Sequence, residues 1–129
     1  MTDPTVPIVP PGQHLLIDFW DARHLTDQAR IECALRDAAE ACGATVLKLM
    51  LHGFGEGAGI TGVAILAESH ISIHTWPELN YAALDVFMCG ACDPQKALPS
   101  LRAHFEPKRE SVTTHYRGRI SVSANTASL

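Results

Sequence analysis

No stretch of this 129-residue chain holds the roughly 20 consecutive apolar residues that a helical bilayer span needs, so a membrane protein of that kind is not expected. Met1 to Pro11 has no basic stretch ahead of an apolar run and does not read as a secretory signal. Blocks of like charge are also missing. The formal net charge of −4 argues against nucleic-acid binding, which needs clustered Lys and Arg to neutralise phosphates. Cysteine is sparse, four in all, and is not arranged as a disulfide framework. Cys33 and Cys42 fall in a predicted helix, while Cys89 and Cys92 follow a predicted strand. Without an export signal, free thiols in a reducing cytoplasm are expected.

What remains is a chain with 47% apolar and 19% charged residues, fitting one compact domain over 1–129. Pro4, Pro7, Pro10 and Pro11 predict a short extended lead-in. His14 to Trp20 is partly alternating and reads as a strand. Ile31, Leu35, Ala38 and Cys42 recur at helical spacing over 27–42, with Asp27 or Thr26 as N-cap and Gly43 at C′. Thr45 to Leu51 is a second strand, followed by a loop over 53–62 with five glycines in ten residues. Strands are predicted at Val63–Ala67, Ile71–Trp76 and Tyr81–Met88, the last broken by Gly90. Asp93-Pro94 opens a helix to Phe105, which Pro99 should kink or shorten. A last strand covers Ser111–Tyr116, and the Ser/Ala/Asn-rich tail should fray. The order β-α-β-β-β-β-α-β predicts an α+β two-layer sandwich, a mostly antiparallel sheet with both helices on one face. The other sheet face then needs a cover, most simply a second copy.

Reactive groups concentrate in AESHISIHTWP, from Ala67 to Pro77, and in YAALDVFMCG, from Tyr81 to Gly90. Three readings compete for them. Zinc on His70, His74, Cys89 and Cys92 has suitable residue types, but strand positions 70 and 74 lie about 13 Å apart, too far for one ion. A redox pair at Cys89 and Cys92 is separated from the helix start by Asp93 and Pro94. A hydrolase built on Ser69 or Ser72 with His74 lacks a G-x-S-x-G elbow. The plain alternative for both histidines is a hydrogen-bonded sheet position.

The run LAESHISIHTWPE, with YAALDVFMCG downstream and LHGF…GITGV upstream, strongly resembles the short prokaryotic S-adenosylmethionine decarboxylases. These are self-processing, pyruvoyl-dependent enzymes of spermidine synthesis. The likeness runs from about Gly12 to the HYRGR segment at 115–119. It implies a two-layer protomer that dimerises with its active sites at the interface. It also implies autocatalytic cleavage between Glu68 and Ser69, giving fragments 1–68 and 69–129 with a pyruvoyl group made from Ser69. The family's processing histidine matches His74, its catalytic cysteine Cys89, and its assisting serine Thr61. The substrate-stacking phenylalanine matches Phe54, and a glutamate near the substrate matches Glu78; Trp76 is a further candidate for stacking. No metal is implied, and neither is a nucleic-acid or membrane partner.

These residue types suit the chemistry the resemblance implies. Decarboxylating an amino acid leaves a carbanion that no ordinary side chain stabilises, whereas a carbonyl that forms a Schiff base with the amine withdraws those electrons. Ser69 supplies the nucleophile for processing, Thr61 an oxyanion donor, His74 a base, and Cys89 an acid for reprotonation. Strict alternation sets Ser69 and His74 on opposite sheet faces, so an irregularity is expected around 68–70. The loop departs from the family pattern: its proline is missing, it is one residue longer, Glu56 is new, and Leu51 replaces an aromatic. Two alternatives to S-adenosylmethionine decarboxylation follow. Glu56 could pair with a basic amino acid (ornithine or arginine), or the chain could be an unprocessed, inactive partner of another subunit.

Overall fold

The computed structural model describes residues 11–118. Pro4, Pro7, Pro10 and the tail beyond 118 lie outside the described residues. The elements are β1 (Gly12–Trp20), α1 (Gln28–Ala41), β2 (Val46–Gly53), β3 (Ile60–Leu66), β4 (Ser69–Trp76), β5 (Tyr81–Cys89), α2 (Ala97–Phe105) and β6 (Arg109–Arg117). This is the predicted order. The six strands form one sheet in the order β2-β3-β4-β5-β1-β6, and every neighbouring pair is antiparallel.

Local chemistry sets the helix ends. Asp27 accepts the Arg30 N–H at 3.0 Å and caps α1. Gly43 follows with φ +79°, the left-handed conformation that ends helices and suits a residue without Cβ. Asp93 likewise accepts the Gln95 N–H at 3.0 Å, but it opens a short 3₁₀ turn, Pro94–Lys96, before α2. Pro99 therefore falls in the first turn of α2, where its missing N–H leaves no bond unmade, and the α-helix is shorter than the whole 94–105 stretch, one of the two outcomes expected.

Both helices cover one sheet face. Ile31, Leu35 and Ala38 of α1 and Leu101 and Phe105 of α2 are fully buried with Leu15, Phe19, Ala64, Ile71, Ile73 and Val86 of the strands. Alternation sends the next residues to the opposite face. His14, Leu16, Asp18 and Trp20 of β1, His70, Ser72, His74 and Trp76 of β4, and Ala83, Asp85 and Phe87 of β5 share that open face. Leu16, Met50 and Ile65 are exposed on it by 44%, 50% and 43%, more apolar surface than a solvated sheet usually carries.

Four strands start earlier than predicted: β1 and β6 by two residues each, and β3 and β4 in ways that bear on the site. β3 begins at Ile60, so Thr61 is a ladder residue paired with His74 and not a loop residue. β4 begins at Ser69, paired with Leu66 across the two-residue turn Ala67–Glu68. Glycine density concealed the first start: Gly62 leaves room that Leu51 and Ile73 occupy from either side, and Gly59 packs on the Thr75 backbone, so these glycines serve close approach.

Candidate active site

Ser69 sits where a tight turn delivers it to the first position of β4. The residue before it, Glu68, has φ +65° in an exposed turn. For a residue with Cβ, that left-handed conformation costs about 1–2 kcal/mol. This turn lies ahead of β4, so no irregularity falls between Ser69 and His74, and the two stay on opposite faces. The Ser69 hydroxyl oxygen accepts the backbone N–H of Cys89, the last residue of β5, at 3.2 Å. Ser69 and Cys89 thus meet at one end of the central strands, both half-buried.

Thr61 and His74 form a second cluster. They are directly paired across β3 and β4, and Thr61 Oγ1 lies 3.1 Å from His74 Nδ1. The His74 ring lies 6.1 Å from Trp76, which stacks on Tyr81 at 5.3 Å; Tyr81 stacks in turn on Trp20 at 5.9 Å. The Tyr81 hydroxyl donates to Asp18, and burial with that bond pushes the phenol up to about 12. Phe54, 65% exposed, lies just beyond β2 with its ring 4.7 Å from His52, and His52 pairs with Thr61. Glu78 is exposed in the 3₁₀ turn Pro77–Leu79 that follows Trp76. Trp76 is therefore held in an aromatic row beside His74, and Glu56 is an exposed loop carboxylate.

The two clusters are not together within one chain. His74 is five residues along β4 from Ser69, roughly 16 Å at about 3.3 Å per residue, and by alternation on the other face. Between them lies a network the sequence reading missed. Asp85 Oδ2 is 2.6 Å from His14 Nε2 and 3.0 Å from His70 Nε2, while Ser72 donates to Oδ1. Burial raises the Asp85 carboxyl, but the bonds from Ser72, His14 and His70 outweigh that and hold it below the usual carboxylate value. Arg117, a donor only, lies 3.3 Å from His14 Nδ1, so that nitrogen accepts and Nε2 carries the proton given to Asp85. The visible signal was a charged residue in the middle of the apolar strand YAALDVFMC. A cavity of about 370 Å³ opens beside it, lined by Leu16, Asp18, Ser72, His74 and Asp85 among others.

The S-adenosylmethionine decarboxylase family model matches residues 13–118. An S-adenosylmethionine decarboxylase proenzyme of Methanococcus aeolicus is 46% identical over 112 residues, covering 84% of this chain and 95% of the relative. One of Thermomicrobium roseum is 44% identical over 110 residues, with the same coverage. The crystal structure of the Aquifex aeolicus adenosylmethionine decarboxylase superposes with a TM-score of 0.76 at 33% identity, covering 86% of this chain and 93% of that one.

Proposed function

The chain belongs to the S-adenosylmethionine decarboxylase family, and on that premise we propose that it cleaves itself between Glu68 and Ser69, converts Ser69 into a pyruvoyl group, and decarboxylates S-adenosylmethionine. The carrying observation is the Ser69 hydroxyl held against Cys89 immediately after a left-handed Glu68.

In processing, Ser69 Oγ attacks the Glu68 carbonyl carbon; the peptide C–N bond breaks and an ester forms. Distortion of the Glu68 backbone favours leaving the peptide state. Thr61 donates to the oxyanion, and His74 removes the Ser69 Cα proton so that the Glu68 carboxylate leaves. Water then replaces nitrogen in the dehydroalanine, releasing ammonia and leaving the ketone on fragment 69–129. The Cys89 N–H, a donor already aimed at the side chain of residue 69, suits a carbonyl oxygen at that residue. Once formed, the pyruvoyl carbonyl acts as the electron sink for the carbanion that loss of CO2 would otherwise strand. Cys89 holds the proton returned to the substrate carbon. Phe54 and Trp76 offer aromatic faces to the adenine and sulfonium, and Glu78 a carboxylate to the ribose.

The separation of the clusters supports a site completed by a second copy. An interface on the open sheet face that extends to the strand end where Ser69 and Cys89 meet would put Thr61 and His74 of one protomer beside that end of the other, and would make two equal sites. It also covers Leu16, Met50 and Ile65. This homodimer of cleaved chains is proposed to act in the cytoplasm, supplying the aminopropyl donor for spermidine synthesis. Decarboxylation of ornithine or arginine would rest on Glu56, an exposed loop carboxylate. CO2 release measured in parallel from the three substrates decides: turnover of S-adenosylmethionine is expected, and turnover of a basic amino acid alone would overturn the substrate assignment.

A further inference from the structure

We propose that His14, His70 and Asp85 form a binding site for one divalent transition-metal ion of the zinc, cobalt and nickel class, separate from the Ser69 chemistry. The three residues come from β1, β4 and β5, adjacent strands of one rigid sheet, and all face the open side. Their ligand atoms all lie within 4.8 Å of one another. Two imidazoles and one carboxylate are a donor set that binds such ions and suits magnesium or calcium poorly.

Both Nε2 atoms converge on one oxygen, at 2.6 and 3.0 Å. Around a metal bonded tetrahedrally at about 2.0–2.2 Å, neighbouring ligand atoms stand about 3.3–3.6 Å apart. Entry of the ion therefore asks the donors to part by roughly 0.3–1 Å, and each imidazole to exchange its Nε2 proton for one at Nδ1 through solvent, with no net proton lost from the pair. The outer support is in place. Ser72 holds the second Asp85 oxygen, and the Phe87 ring stacks on His70 and meets His14 edge-on, which fixes both imidazole planes. The cavity beside Asp85 and Ser72 gives room for water as further ligands, and in the proposed dimer it opens between the two sheets.

One contact opposes the ion. A neutral imidazole bonded through Nε2 carries its proton on Nδ1, where His14 now faces the Arg117 guanidinium at 3.3 Å. Arg117 is exposed and must swing away. Loss of that side chain should therefore tighten binding. The ligands also fall on both sides of residue 68, so the ion would tie the two fragments together if the proposed cut occurs. Binding itself does not depend on the cut.

The test is titration of the purified full-length protein with Zn²⁺ by calorimetry and with Co²⁺ by visible absorption, circular dichroism confirming the fold of each variant. One ion per chain is expected, with no sulfur-to-cobalt charge-transfer band. Asp85→Asn and His14→Gln should each abolish binding, Ser72→Ala should weaken it by about tenfold, and Arg117→Leu should strengthen it. A Cys89→Ala, Cys92→Ala variant should bind as the parent does. No saturable binding by the parent, binding that survives both Asp85→Asn and His14→Gln, or binding lost with the cysteines would overturn the proposal.

Discussion

At the scale of single residues, each proposed role separates cutting from turnover. Cys89→Ala keeps its backbone N–H against Ser69, so it should still cleave but decarboxylate at least 100-fold more slowly, at the lower end of what a general acid contributes. His74→Ala should leave an uncut chain, read directly on a denaturing gel. Glu68→Gly removes the penalty on the left-handed conformation. It should slow cleavage by up to about tenfold, equivalent to roughly 1.4 kcal/mol in the barrier, because the peptide no longer starts strained. Cleavage as fast as the parent's would show that this strain is not used. These residues stood out in the sequence because ESHISIHTWPE and YAALDVFMCG are long and specific, while the roles given to them are those proposed above. Asp85, His14 and Arg117 were not legible as a group, since 71 residues separate Asp85 from His14 and 103 separate His14 from Arg117. Only the register of β1 with β5 and β6 brings them together.

At the scale of elements, periodicity gave the right order because each strand and helix carries one apolar stripe. Boundaries went astray where glycine or a turn residue was taken as a break: β3 runs through Gly62 and β4 begins directly at Ser69. Those two shifts mattered for chemistry, since they turn Thr61 and His74 into a cross-strand pair. Within β4, Ile73 is fully buried under the helices, and Ile73→Ala should cost about 2–5 kcal/mol in denaturant melts. Asp85 adds a pH dependence. Its carboxyl titrates below the ordinary 3.8 when folded, so ionisation stabilises the native state. That stabilisation is complete well above the unfolded value and is lost as pH falls through the folded one. Thermal melts from pH 7 down to pH 3 should show Tm falling more steeply for the parent than for Asp85→Asn. Parallel curves would mean that this carboxylate carries no acid-side stability.

At the scale of the whole molecule, the separation of Ser69 from His74 gives the proposed second copy a part in the chemistry. Ser69→Ala and His74→Ala chains should each stay intact when expressed alone. Co-expressed, they should form mixed dimers in which the His74→Ala chain is cut, because its Ser69 meets the partner's Thr61 and His74. An uncut mixture beside a cleaving parent would place the machinery within one chain. The sequence could not foretell this arrangement in residue terms, since no local pattern records which protomer completes a site. The exposed Leu16, Met50 and Ile65 mark only that the face needs a cover. All of it rests on the cut between Glu68 and Ser69, which intact-protein mass spectrometry of freshly purified material tests directly. The account predicts two fragments, 1–68 and 69–129, the second beginning with a pyruvoyl group and therefore resistant to N-terminal Edman sequencing. A single chain of 14.0 kDa would contradict it.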